Sequence, residues 1–461
     1  MQNDERKVSY QNRITAGEKN SYGAAAFAGC FLITMITLGL YNYYPFKFDL
    51  EESALRAILT IGWLLHATAV LVMGGLMDAG GHAFSNQKKW LRWSAIPLVI
   101  FAILMSFLPA VGASLQIIYL LAVGSIFAVL CAAYYVPYAA MQSTLTQDQE
   151  ERESFNVFRM GYTAGAVYVA TRILNTLDYR LSRSDLGWFI AFLIFAVFVL
   201  FLYGRTYRNT TERNPVTKHS TLSLEKVIRA FFTNKQAVFA VMIIFISVLQ
   251  VAIQLHSSIF YGDIFMDNQR AGQATFGIVS MVMLIGSLLF TAPLIRKYGK
   301  RNSIIIGTVI SLLGTVVLMV GSEYPAIFIV GFVLKALGWL PLGASIFAML
   351  ADTVEYGELI SGLRIPGMIF GVGSFAVSMA IGLGTMGVSW LYYMIGYQPG
   401  GLQTGIIRNT TMFFFLYFPA ILAVIQIVLL AFYKLDHKYT EVLEELRQKK
   451  TVQTSEDQVL S

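Results

Sequence analysis

Five basic side chains interrupt otherwise apolar stretches of this chain: His66, Arg159, Arg172, His256 and Lys335. An ionised group at the centre of a membrane-spanning helix costs at least about 2.5–3.5 kcal/mol, so such residues are functional candidates by default. No Asp or Glu stands deep in the same stretches to pair with them. A fixed positive interior without counter-charge suits an anion. Arg grips a carboxylate or sulfate through two parallel hydrogen bonds, and Lys supplies a point charge. Each residue also has a plainer reading. Arg159 lies near a charged turn and can order it with Glu151 or Asp352 instead of meeting a ligand. Arg172 stands nearer the other end of its stretch and can reach the headgroups. Lys335 is more central, with Trp339 one turn on. His66 can carry a proton near neutral pH or act as a neutral hydrogen-bonding ring.

Neutral polar groups add a second set. Gln250, Gln254, Ser257 and Tyr261 recur at helical spacing on one face. Helix–helix hydrogen bonding explains such a stripe as well as a polar path does. Tyr134, Tyr135 and Tyr138 offer stacking surface together with a hydroxyl. There is no P-loop, HExxH or G-x-S-x-G pattern, so neither an enzyme nor a cofactor is expected. Cys30 and Cys131 lie in apolar stretches without metal-like spacing, and no metal site is expected.

The elements that must hold these groups follow from composition. Of 461 residues, 56% are hydrophobic and only 13% charged, with mean hydropathy +0.60; a soluble chain carries about 25% charge. A bilayer core takes about 20 apolar residues per helix. Twelve stretches qualify, near 23–44, 54–78, 93–112, 115–145, 154–178, 187–204, 236–260, 272–295, 303–322, 325–351, 367–395 and 409–433. Residues 1–22 are polar and charged, so no cleavable signal peptide is expected before the first. The expected fold is an all-α membrane protein of twelve transmembrane helices.

Lysine and arginine set the orientation. With both termini cytoplasmic, six of the 34 lie outside (Lys47, Arg56, Arg180, Arg183, Arg270, Arg408) and three within spans (Arg159, Arg172, Lys335), leaving the other 25 inside. The net charge of +7 is therefore mostly a topology signal, and lipid rather than nucleic acid is the expected surround. The polar segment 205–235 divides the chain into bundles 23–204 and 236–435, and a charged tail, 436–461, is expected to be mobile at its end. Within the segment, Leu222–Phe232 has the spacing of a helix lying on a membrane surface. Tyr41, Tyr43 and Tyr44 close the first span in the manner of an interfacial belt.

Several motifs are specific. Val136-Pro137-Tyr138 is followed by a charged turn, Gln147–Glu153, and then by Arg159. Gly74–Asp78 precedes the basic run Lys88–Arg92, and a related run, Pro293–Arg301, recurs in the second half. Ala351-Asp352-Thr353-Val354-Glu355-Tyr356-Gly357-Glu358 precedes Gly362-Leu363-Arg364. With Lys19-Asn20-Ser21-Tyr22-Gly23, Gly396-Tyr397 and Gln403, these motifs resemble the glycoside–pentoside–hexuronide symporters of the major facilitator superfamily along essentially the whole chain.

The resemblance implies two pseudo-symmetric six-helix halves and secondary transport by alternating access. It implies a cytoplasmic gate from Asp78, Arg152, Asp352, Glu355 and Arg364. The family couples to sodium, lithium or protons through carboxylates; carried over, those positions are Cys30, His66, Val70 and Tyr135, and the family's lysine is Ser378. No carboxylate remains, so coupling is expected to be to protons, through His66, or absent. The expected cargo is a small organic solute, an anionic glycoside or sugar acid such as a hexuronide or glucuronide. Arg159, Lys335, Trp339, Tyr134, Tyr135, Tyr138, Gln250, Gln254, Tyr261 and Ser378 are its candidate contacts. Two alternatives remain: an amphiphilic anion of lipid, steroid or bile-acid type, and a membrane sensor or scaffold that binds without moving its ligand. The protein is expected to act as a monomer in a bacterial inner or cell membrane.

Overall fold

The computed structural model of the chain describes residues 14–42, 52–80, 86–109, 111–181, 185–213, 222–398, 400–401 and 403–460. Lys47 and the belt tyrosines Tyr43 and Tyr44 lie outside the described residues, as do the side chains of Tyr41, Arg180, Arg183 and Arg270.

The first half comprises α1 (Ala16–Asn42), α2 (Glu52–Ala79), α3 (Gln87–Ser106), α4 (Ala113–Leu145), α5 (Gln149–Leu181) and α6 (Asp185–Asn209). A short helix, α7 (Leu224–Thr233), leads into α8 (Lys235–Met266). Then come α9 (Gln269–Gly286, extended by a π turn Ser287–Thr291), α10 (Ala292–Gly321), α11 (Pro325–Ser361), α12 (Pro366–Met394), α13 (Gly405–Phe432) and α14 (Leu435–Leu460). Ten of these helices are long and apolar enough to cross a membrane by length and composition. The helices α5, which is more polar, and α9, which is shorter, fall below that measure; counted with the ten they are consistent with the twelve spans expected. The result is an all-α bundle of two halves.

The spans form because nearly every position is apolar and each backbone group is satisfied within its own helix, the arrangement a bilayer enforces. Breaks fall where sequence permits them. Gly299, at φ 76°, turns the chain inside α10, and Gly362, at φ 70°, stops α11; both angles favour residues without a side chain. Ser223 caps α7 by accepting from the Lys226 amide, so this helix starts two residues later than the apolar spacing predicts. It buries Val227, Ala230 and Phe231 while leaving Leu224, Ile228 and Phe232 exposed.

The two halves meet along two seams. In one, α2 lies so close to α12 that a Cβ on Gly74 would come within 2.5 Å of the Gly367 carbonyl. Trp390 extends the same seam by donating to the Thr60 hydroxyl at 3.1 Å. In the other, α5 packs on α9 and α11, where Met160 touches Gly343. Both seams meet the ends of α2, α5 and α11 beside α14. We refer to that end as the termini end.

Candidate functional site

At the termini end, an ionic cluster is closed to solvent. Arg152, at the start of α5, is fully buried. Its guanidinium donates to Asp352 at 3.2 Å and to both oxygens of Glu355 at 2.7 and 3.1 Å on α11. It also donates to the Tyr439 hydroxyl on α14 at 2.7 Å. Lys300, after the Gly299 turn, pairs with Asp352, with Asp436 at 3.7 Å and with Glu153 at 3.7 Å. Arg364 bridges Glu358 at 2.9 Å and Glu355 at 3.3 Å. Burial raises the Glu153 carboxyl to about 7, against the lowering pull of Lys300.

Asp78 works differently. Its carboxylate accepts from the backbone amides of Gly367 and Met368 at 3.0 and 2.6 Å. It thereby caps the N-terminus of α12, where unpaired amides and the helix dipole favour an anion. All five residues expected at a gate therefore lie in contacts that tie the first half to the second, or that brace those contacts. Lys300 and Tyr439 were not anticipated. The Pro293–Arg301 motif singled out the right segment, but only the turn at Gly299 delivers Lys300 to Asp352. The α14 tail, expected as a charged appendage, is helical and places Tyr439 and Asp436 in the cluster.

Deeper in the bundle, Arg159 is not part of this cluster, contrary to one reading of its position. It donates to the Tyr135 hydroxyl at 3.0 Å. Its guanidinium lies 3.5 Å over the Phe347 ring of α11 and 5.8–5.9 Å from the rings of Tyr135 and Tyr138. Among the described residues no carboxylate pairs with it. A cation is thus held between aromatic faces contributed by both halves, where ring quadrupoles partly compensate its lost hydration. Phe347 was missed, because nothing in an apolar helix distinguishes one Phe from its neighbours.

Further along α2, the His66 Nδ1 and the Ser378 hydroxyl are 3.0 Å apart across the seam, and the His66 Nε2 is buried without a partner. Both side-chain atoms of Gln254 and the Ser257 hydroxyl are likewise buried and unpartnered. Gln250 is buried on the same face. Unused buried hydrogen-bonding capacity of this kind marks places where a ligand or ordered water is accommodated.

Other expected contacts are not brought to the site. Tyr134 donates to the Ala25 carbonyl at 3.0 Å and Tyr138 to the Tyr22 carbonyl at 2.9 Å, so both pin α4 to α1. Tyr135 alone of the three accepts a hydrogen bond from Arg159, while Tyr138 offers it only a ring face at 5.9 Å; one residue rotates a helix position by about 100°. Tyr261 shares a hydrogen with Ser322 at 2.5 Å and stacks on Phe415, inside the second half. Lys335 is closed in against α10, its amine donating to the Thr315 hydroxyl at 2.5 Å. Trp339 is buried in the aromatic cluster that contains Tyr261, its indole nitrogen unpartnered. His256 bonds Ser389 at 2.6 Å, and Arg172 lies 5.4 Å from the Tyr168 ring.

Comparison with known proteins agrees with this arrangement. The chain is 24% identical over 96% of its length to an isoprimeverose transporter of Lactiplantibacillus pentosus, covering 93% of it. It is 22% identical to a glucuronide carrier protein homolog of Escherichia coli (strain K12), covering 94% of this chain and 95% of the relative. A crystal structure of a bacterial homologue of the iron transporter ferroportin shares the fold, with TM-score 0.68 over 90% of this chain and 99% of that one at 12% identity. The model of the family described as "MFS/sugar transport protein" matches residues 21–437. On this match the chain belongs to that family, the glycoside–pentoside–hexuronide branch of the major facilitator superfamily, and is a secondary membrane transporter of the sugar type rather than an enzyme.

Proposed function

We propose that the protein moves an anionic glycoside or sugar acid, of the hexuronide or glucuronide class, across a bacterial cell membrane by alternating access. The observation that carries this reading is Arg159, a guanidinium held by Tyr135 and Phe347 that no carboxylate among the described residues pairs with. A solute carboxylate completes that site, and its two oxygens suit the planar donor fork. The name of the glucuronide carrier homolog supports the same class of cargo.

Both termini face the cytoplasm in this reading, so the ionic cluster is the closed inner gate. Solute entering from outside meets Arg159 at the interface of the halves. The halves then rock about it, and Arg152 parts from Asp352 and Glu355 to open the inner side. His66 is the proton-coupling candidate: its Nε2 is unpartnered, and Ser378 orients the ring from the opposite half.

Uptake into proteoliposomes tests this with a glucuronide and the matching neutral glucoside, with and without a pH gradient. Uptake of the anion alone, lost in Arg159→Ala, supports the reading. Dependence on the gradient that disappears in His66→Ala assigns coupling to that residue, and indifference to the gradient means a facilitator. Equal uptake of both compounds refutes the anionic site.

A further inference from the structure

A chamber between α1, α2 and α4 has no role in the account above. It occupies the half of the bundle away from the ionic cluster, because Thr37, Ile58 and Leu120 line it near the helix ends there. Its walls are almost wholly apolar, with Ile33 and Ile36 from α1, Ile58 and Trp63 from α2, and Leu121 and Phe127 from α4. The Ser125 hydroxyl is already used by its own helix, donating to the Leu121 carbonyl. The volume, about 110 Å³, is of the order of the roughly 150 Å³ apolar cavity that accepts benzene. One aryl ring is the natural measure of the space.

The inner end of the chamber reaches His66 and Cys131. Cys131 stands four residues before Tyr135 on α4, about 6 Å along the helix axis, and Tyr135 holds Arg159. Chamber and guanidinium are therefore successive stations on one wall. Gly62 gives the chamber part of its width: a Cβ built there meets nothing within 4 Å.

We infer that this chamber receives the apolar aglycone of the solute whose anionic group is held at Arg159. The substrate class is then an anionic conjugate with an aryl or short alkyl aglycone, rather than a free sugar acid. The inference rests on the anionic reading of Arg159. A lipid chain is the less favoured occupant, since the chamber runs inward toward a charged group that a lipid tail would leave unmatched.

The test measures binding to the purified full-length protein by calorimetry, using 4-nitrophenyl β-D-glucuronide, methyl β-D-glucuronide and 4-nitrophenyl β-D-glucoside. Burying one ring favours the aryl glucuronide over the methyl glucuronide by roughly tenfold or more. In Gly62→Leu, which fills the chamber from a position with room for it, that preference falls to near unity while methyl glucuronide affinity is retained. Equal wild-type affinity for the two glucuronides overturns the inference, as does an aryl preference that survives Gly62→Leu. Failure of the underlying reading looks different: the neutral nitrophenyl glucoside then binds as tightly as the glucuronide, or none of the probes binds.

Discussion

Replacing Arg152 by Gln removes the hub of the termini-end cluster. Arg152 donates to Asp352, Glu355 and Tyr439 from a fully buried position. Breaking one side of a buried ion pair costs about 3–5 kcal/mol. Lys300 and Arg364 still face the same carboxylates, so the low end, about 3 kcal/mol, is the appropriate figure. Most of that cost falls on the closed gate, because these partners lie on α11 and α14 while the remaining donor, Nε to the Thr146 carbonyl at 3.0 Å, stays within the first half. At about 1.4 kcal/mol per decade, the closed-to-open ratio shifts roughly 100-fold. Such a shift lifts an open state of about 1% to near parity. The assay is maleimide labelling of Asn156→Cys, with Cys30 and Cys131 replaced by Ala, applied from the termini side. Asn156 lies one turn inside Arg152 and is 1% exposed. Labelling is expected to rise by one to two orders of magnitude in Arg152→Gln. Unchanged labelling in a variant that remains folded would refute the assignment of this cluster as a gate.

Three further outcomes follow from the placements described. Lys335→Met exchanges a buried amine with a single hydroxyl partner for an apolar chain, so stability should be unchanged or up to about 2 kcal/mol higher, with glucuronide affinity intact; lost affinity at an unaltered melting temperature would return Lys335 to the solute path. Tyr134→Phe should lower stability by about 1 kcal/mol through its bond to Ala25 without altering affinity, whereas Tyr135→Phe should weaken binding because it releases Arg159. Glu153 is raised to about 7 by burial. Its protonated form therefore suits the closed fold, and this contribution is complete below its ordinary value and lost as pH rises through about 7. The slope of stability against pH between about 5 and 7.5 should flatten in Glu153→Gln, removing up to roughly 3 kcal/mol of pH dependence; a melting profile identical to wild type would contradict it.

The spans were legible in the sequence because the bilayer imposes one rule on every position, and a scarcity of charge over about 20 residues satisfies few alternatives. The residues proposed as the gate stood out in the sequence for the same reason inverted. Charges that do occur are conspicuous, and Asp78, Arg152, Asp352, Glu355 and Arg364 sit in recognisable local patterns at helix ends. Even the basic interior could be read, since no carboxylate stands deep in the stretch that carries Arg159.

Only the tertiary structure decided direction. A helix that is apolar all round carries no stripe to say which face meets which neighbour, so Tyr134, Tyr135 and Tyr138 were indistinguishable until α1 and α5 were in place. The same ambiguity put Lys335 on the solute path, although it faces α10. Lys300, Phe347 and Tyr439 acquire their roles from segments far away in the chain: a left-handed turn at Gly299, the crossing of α5 over α11, and the return of α14 beneath the cluster. Hydropathy records how deep a residue sits in the membrane, but which partner it meets depends on how the helices are rotated and packed together.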